Sequence, residues 1–251
     1  MSMSRVKKNR KRLDLRVLEL FPSLSRNQIQ SFIIQGKVLV DGTVINKPGT
    51  LVSTESKIKL LQSEPEFVSR AGGKLKFALD YFSVDVNGLV VLDAGISTGG
   101  FADCLLQRGA KRVYGVDVGY GQVHEKIRND KRVILLERTN LRYLDKLPEL
   151  VDLATLDLSF ISLLKVMPAV SKLVKPGGMI IALIKPQFEA DRKDIKKGGV
   201  VRDEKVHEAV INKIKKGMLH FGFKMIGVVK SPIPGATSGN IEFLGFFKRE
   251  I

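Results

Sequence analysis

Cysteine is almost absent from this chain. Its 251 residues include one, Cys104, so no intrachain disulfide can close and no thiolate metal site can be assembled, which suits a reducing compartment. Histidine is scarce as well: His124, His207 and His220 stand at no metal-ligand spacing from one another or from carboxylates, and no metal is expected. Long apolar runs are missing. The most hydrophobic stretch, 179–184, is a strand's length and far short of the ~20 residues of a membrane helix. The N-terminus is polar and basic, without the apolar centre of a secretion signal, so a cytoplasmic protein with no membrane span is expected. Acid is the last shortage: 26 Asp and Glu against 42 Lys and Arg leave a net charge of +16 and a pI near 9.9. Such a field suits a polyanion, either nucleic acid or an anionic membrane surface.

What is present is a globular composition, 44% hydrophobic and 27% charged, long enough for one large domain or a small one plus a medium one. The chain is organised around Leu89 to Phe101. Four apolar residues, too few for a helix, run into Asp93, then a segment with Gly95, Gly99 and Gly100, after which apolar periodicity resumes. The local reading is strand, tight loop, helix, half of a βαβ unit with an acid at the carboxyl end of the strand, where open α/β sheets place ligands. The spacing is neither G-x-G-x-x-G nor a phosphate loop with G-K-[ST], which makes a dinucleotide or nucleoside triphosphate the lesser candidate. Taken alone, a turn of this kind reads first as a structural loop. Asp117 ends the next expected strand 24 positions after Asp93, where nucleotide-binding α/β folds offer an acid to ribose hydroxyls, and the pair favours a nucleoside-like cofactor.

Residues 1–12 form a basic arm with Arg5, Lys7, Lys8, Arg10, Lys11 and Arg12. A helix is expected from Leu13 to Phe21. A second follows a capping box with Ser25 as N-cap and Gln28 three residues on, and Gly36 is its stop. A hairpin at Asp41-Gly42 and a strand near Lys57 to Leu61 come next. This pattern, with Arg12-Leu13-Asp14, Ser25-Arg26 and Gly36-Lys37-Val38-x-Val40-Asp41-Gly42, resembles the small RNA-binding module shared by ribosomal protein S-four, tyrosyl-tRNA synthetases and many pseudouridine synthases. The resemblance implies RNA binding through basic residues, among which Arg12, Arg26 and Lys37 are named. The alternative, that these charges are only solvated surface, is the weaker reading beside the module match.

Residues 62–66 form a short polar boundary with Pro65, and beyond it strands and helices alternate as in a doubly wound sheet. Further strands are expected at 112–117, 133–137, 151–157, 179–184, 224–229 and 241–247. The clearest helix spans Lys205 to Leu219, where Val206, Val210, Ile214 and Met218 recur every fourth residue, and the charged segment 189–202 with Gly198-Gly199 reads as a mobile loop at the active face.

Several separated stretches, in order, are similar to one family. They are 67–75 (FVSRAGGKL), 93–110 (DAGISTGGFADCLLQRGA), 183–189 (LIKPQFE), 197–203 (KGGVVRD) and 238–244 (SGNIEFL). All resemble the TlyA family, which joins the S-four-type module to an FtsJ-like, S-adenosylmethionine-dependent ribose methyltransferase domain. The resemblance implies an α/β fold, a Rossmann-like doubly wound methyltransferase sheet, with a small N-terminal α+β RNA-binding domain. The boundaries it suggests are 1–61 for the RNA-binding domain with its arm, 62–66 for the linker and 67–251 for the methyltransferase domain. FtsJ-like enzymes use a Lys-Asp-Lys-Glu tetrad, whose counterparts here are Lys74 at the opening of a helix, Asp157 after the fourth strand, Lys185 closing the fifth, and Glu242 in the last. For the S-adenosylmethionine cofactor the resemblance points to Asp93, Gly95, Ser97, Gly99 and Gly100 around the methionine part, Asp117 at the ribose and Asn140 toward the adenine. Pro186-Gln187-Phe188 is expected to shape the substrate pocket, with the phenylalanine stacking on a base or simply packing.

The activity implied is 2'-O-methylation of a cytidine in ribosomal RNA, 23S and in longer members also 16S. The end of the chain soon after the last expected strand points to the large ribosomal subunit as partner. A ribose hydroxyl is a poor nucleophile, so the enzyme must align it with the sulfonium methyl and take a proton away. Lys185 is the candidate proton acceptor or alkoxide stabiliser. A free lysine, pKa ~10.4, is protonated at neutral pH; Lys74 nearby would favour its neutral form and the two acids its charged one, so sequence leaves the sign open. Two other classes remain: a pore-forming haemolysin, a name family members carry but for which no span is visible, and an inactive RNA-binding assembly factor, against which the complete tetrad argues.

Overall fold

A computed structural model describes residues 9–22, 24–61, 66–195, 198–235 and 239–250. The chain divides into two compact units, Met1–Pro65 and Glu66–Ile251. Of the expected linker, 62–65 lie outside the described residues and Glu66 falls in the second unit; Arg5, Lys7 and Lys8 of the arm, Lys197 and Ser238 also lie outside them.

The first unit runs β1 (Arg10–Arg12), α1 (Leu13–Leu20), α2 (Arg26–Ile34), β2 (Val38–Val40), β3 (Thr43–Val44), β4 (Leu51–Ser53) and β5 (Ile58–Leu60). Leu13, Val17, Ile29, Ile33, Val38 and Val52 are buried together as its core. The capping box forms as expected: the Gln28 amide donates to Ser25 Oγ at 3.3 Å, and the Ser25 amide to Gln28 Oε1 at 2.8 Å. Gly36, at φ +70°, closes α2. One expectation fails. Arg10–Arg12, read as part of a polar arm, are a strand paired antiparallel with Leu51–Ser53, a ladder that nothing in their composition announces because all three side chains are exposed and only the backbone pairs.

Asp14 organises this unit. Its carboxylate is fully buried at the start of α1, where Arg12 donates twice at 3.0 Å and Arg26 and Gln30 once each at 3.2 Å. Those donors, Arg12 first, hold the Asp14 carboxyl well below the usual range. A group depressed in this way stabilises the fold above its unfolded pKa of about 4, and the contribution is lost as pH falls through the folded value. Asp14→Asn is expected to cost the first unit about 2 kcal/mol at pH 7, read as faster amide exchange across α1 and α2, with the difference from wild type shrinking toward pH 2.

The second unit continues with α3 (Ala71–Tyr81), β6 (Val90–Ala94), α4 (Gly100–Gln107), β7 (Arg112–Val116), α5 (Glu125–Arg128), β8 (Val133–Leu136), β9 (Val151–Leu156), α6 (Met167–Leu173), β10 (Val174–Ile184), α7 (Pro186–Glu189), α8 (Glu204–His220), β11 (Phe223–Lys230) and β12 (Phe243–Arg249). One seven-stranded sheet holds the strands in the order β11-β12-β10-β9-β6-β7-β8, parallel from β10 to β8, with β12 antiparallel to both its neighbours. Alternation along the strands fills two apolar layers. Leu92 and Leu156 pack on one face with Val170 of α6 and Ile214 of α8, while Val91 and Leu153 pack on the other with Leu79 of α3 and Leu105 of α4. Cys104 is sealed in the second layer, where burial pushes its thiol up to about 12.

Several details differ from expectation: β10 begins at Val174, five residues before 179, and β7 ends at Val116, so Asp117 follows it. Glu242 immediately precedes β12 instead of lying within it, since the ladder to β10 begins at Phe243. The buried face of α8 is His207, Val210, Ile214 and Met218, with His207 in place of Val206 because 3.6 residues per turn carry a strict four-residue repeat off the face.

Candidate active site

The sheet reverses direction of growth at β6: the chain builds outward through β7 and β8, then returns to lay β9 on the other side of β6. A crevice opens at the carboxyl ends of strands flanking such a reversal. The glycine turn follows β6 here, with Gly95 at φ +81°. A Cβ on Gly95 would stand 2.6 Å from the Asp157 carbonyl oxygen at the end of β9, so the two strand ends meet at a distance only glycine allows. Gly100 does the same on the other side. A Cβ there would be 2.2 Å from Ser69 Oγ and 3.0 Å from the Gly72 amide nitrogen, and this closeness brings the first turn of α3, with Lys74, to the turn.

A cavity of about 670 Å³ occupies the crevice, and Lys74, Asp157, Lys185 and Glu242 all line it. They stand as two ion pairs: Lys74 Nζ is 2.6 Å from Glu242 Oε2, and Lys185 Nζ is 2.7 Å from Asp157 Oδ1. Lys185 also donates to Ser159 Oγ at 3.0 Å. Sheet register explains the meeting. Ile184 of β10 is opposite Phe243 of β12, so the next residue of one strand, Lys185, and the preceding residue of the other, Glu242, share one sheet end; β9 delivers Asp157 beside them in parallel.

A second cavity, about 480 Å³, shares Gly95, Ser97, Asp157, Ser159 and Phe160 with the first and is lined further by Asp117, Asn140 and Leu141. Asp117 accepts from the amides of Ser97 and Gly119, both at 2.8 Å, and Asn140 caps the turn at Leu141–Tyr143 by accepting from the Arg142 amide at 3.1 Å. Their backbone partners fix both side chains on the wall. The volume and the mixture of apolar wall and few polar groups fit a nucleoside-sized cofactor.

Asp93 and Gly99 do not line either cavity. Gly99, at φ +95°, is the N-cap of α4. Asp93 is fully buried beneath the turn, with Thr155 Oγ1 donating to Oδ1 at 2.9 Å and Oδ2 unpaired. Burial raises its carboxyl to about 7, partly offset by Thr155. Phe160 was not foreseen among the site residues. It follows Asp157 and Ser159 on the shared wall, is 91% exposed, adopts φ +63°, and lies 5.2 Å from the Phe188 ring centroid. A phenylalanine this exposed on a left-handed backbone is a costly arrangement of the kind that functional sites retain. The signal in the sequence is an aromatic three residues past a strand-end acid.

With this geometry in place, the comparisons with known proteins are decisive. Residues 67–249 match the FtsJ-like methyltransferase model and residues 11–58 the S4 domain model. The chain belongs to the FtsJ-like methyltransferases. The 16S/23S rRNA (cytidine-2'-O)-methyltransferase TlyA of Mycobacterium tuberculosis is 41% identical over 93% of this chain and 88% of its own length. Hemolysin A of Brachyspira hyodysenteriae is 40% identical, over 89% and 93%. A solved hemolysin-named chain from Streptococcus thermophilus superposes with a TM-score of 0.75 at 38% identity, covering 97% of this chain and 90% of that one.

In this FtsJ-like methyltransferase the S4 unit presents Arg12 and Arg26 half-exposed, each also bound to Asp14, and Lys37 with its ammonium 5.7 Å from the Phe32 ring centroid. Among the described residues no group of three or more His, Cys, Asp or Glu is arranged to hold a metal, and no helix is long and apolar enough to cross a membrane.

Two outcomes follow from the turn. Gly95→Ala is expected to destabilise the second unit by about 1–3 kcal/mol in urea unfolding, since a Cβ at positive φ must displace the Asp157 carbonyl. Asp93, whose folded pKa is raised, takes up a proton more readily folded than unfolded, so it favours the native state as pH falls from 7 toward 4 and opposes it by a constant amount above 7. Urea unfolding of Asp93→Asn is therefore expected to show its largest gain over wild type at pH 8, at most about 4 kcal/mol, and a fading gain toward pH 5.

Proposed function

We propose that this chain transfers the methyl group of S-adenosylmethionine to the 2'-hydroxyl of a cytidine in ribosomal RNA, with the S4 unit gripping the RNA. The observation that carries the reading is the pair of lysine–carboxylate contacts on one wall of the crevice beside the glycine turn. When bound, the cofactor supplies an activated methyl; Gly95, Ser97 and Gly100 would hold its methionine end, Asp117 its ribose and Asn140 the neighbourhood of its adenine.

Lys185 spends two of its donors on Asp157 and Ser159, and a third is left for the crevice. An oxygen developing negative charge there is stabilised by a fixed, partly desolvated ammonium, the kind of preorganised contact that dominates many enzymes. Lys74, held by Glu242, adds a second positive group to the same wall. The hydroxyl proton passes to the Asp157 carboxylate while Lys185 stays an ammonium, or, where Lys185 is neutral, to its nitrogen, whose lone pair then stands in place of the third donor; the pH dependence of single-turnover transfer in Asp157→Asn separates the two. Phe160 and Phe188 offer flat apolar faces at the same wall for a base. The surplus of 16 positive charges supplies sequence-independent attraction to RNA, and Arg12, Arg26 and Lys37 are the named contacts of the S4 unit. A ribosomal substrate implies the cytoplasm, and the 23S rRNA named for the Mycobacterium tuberculosis relative makes the large subunit the first substrate to try.

Purified large and small subunits, assayed side by side with labelled S-adenosylmethionine, are expected to accept methyl on a ribose of the large subunit, mapped by resistance to alkaline cleavage. Lys185→Ala is expected to lower transfer at least ~100-fold with its thermal midpoint within a few degrees of wild type. Undiminished transfer by that variant removes Lys185 from the reaction, and dye release from liposomes without methyl transfer favours the haemolysin reading instead.

A further inference from the structure

The wall of the larger cavity contains one amide that no described residue uses. Gln187 sits on α7 between Lys185 and Phe188, and its side chain lines the cavity. Among the described residues it makes no hydrogen bond, and its Oε1 is shielded from solvent with no partner. A shielded carbonyl oxygen left unpaired is a standing cost to the fold, and such groups are rare unless something outside the protein completes them. The charged neighbours are committed: Lys185 to Asp157 and Ser159, Lys74 to Glu242. Glu189, at the other end of α7, holds the Leu163 amide at 2.7 Å through Oε1, and although its Oε2 is also buried without a partner among the described residues, Glu189 lines neither cavity.

We propose that Gln187 reads the hydrogen-bonding edge of the target pyrimidine and sets the preference for cytidine over uridine. This rests on the function proposed above. A nucleotide whose 2'-oxygen meets Lys185 carries its base on the adjacent ribose carbon, within a side chain's reach of the residue two positions along, and Phe188 on the same turn offers the base a face. The chemistry is complementary. Cytosine presents a donor, the 4-amino group, next to an acceptor, N3, and a side-chain amide answers with an acceptor next to a donor. Uracil reverses both, so the amide must turn over, with its shielded Oε1, to serve it. Sites built to hydrogen-bond a substrate group discriminate strongly against analogues lacking it, because their own polar atoms are then left unpaired.

The test uses the full chain and large subunits carrying either cytidine or uridine at the position methylated by wild type, read as single-turnover rates. Wild type is expected to prefer cytidine by about 10-fold or more. Gln187→Ala should lower the cytidine rate about 10-fold and the uridine rate little, bringing the two within about twofold of each other. Gln187→Glu keeps the shape but has acceptors only, so it should keep or widen the cytidine preference while reacting more slowly. Both variants should bind S-adenosylmethionine as wild type does, which reports an intact fold. Equal loss on both bases with Gln187→Ala, an unchanged cytidine rate, or a Gln187→Glu variant that favours uridine overturns the assignment while leaving the methyltransferase reading in place. A wild-type chain that methylates neither subunit overturns the underlying function and this assignment with it.

Discussion

Lysine nitrogens withdrawn from water need carboxylates within contact distance, and that requirement constrains the whole second unit. Lys74 and Lys185 are each at most 9% exposed, and neither could be held there without Glu242 and Asp157. The four residues come from a helix opening, two strand ends and a strand start. They can meet only if β12 is inserted antiparallel beside β10, because a parallel strand would present its far end to the site. The most unusual feature of the sheet, its reversed strand, is thus what delivers the fourth charge.

Much of this was legible in the residues. Apolar runs bounded by glycine and charge located the strands, and the two-residue alternation that sends Leu92 and Val91 to opposite layers follows from strand geometry alone. The capping box at Ser25 and the stop at Gly36 were readable because they are local, requiring only that a side chain reach its own backbone. What could not be read were features made by partners distant in the chain. Arg10–Arg12 pair through their backbone with residues forty positions away, and exposed charged side chains leave no trace of it. Phe160 looked like one more apolar residue after a strand. Its exposure and left-handed backbone appear only in three dimensions. The tetrad residues were named through family resemblance, not spacing: 168 positions separate Lys74 from Glu242, and no periodicity spans that.

The first unit solves a different problem with similar means. On the proposed function its basic residues meet a polyanion, yet a cluster of guanidinium groups repels itself. Asp14 collects Arg12 and Arg26 from two helix starts around one buried carboxylate while leaving about half of each side chain in water. The anchor spends one negative charge to fix the direction of two positive ones, so a phosphate meets oriented donors in place of freely rotating chains, and less entropy is lost on contact.

The single thiol has a practical consequence. Cys104 is sealed on the inner side of α4 with its proton held to about pH 12, so at neutral pH it presents almost no thiolate to a maleimide or an oxidant. The native chain is in effect a cysteine-free background: a fluorophore placed through one introduced cysteine in either unit would label that position alone, and the S4 unit and the methyltransferase unit can each be watched separately without first removing the natural residue.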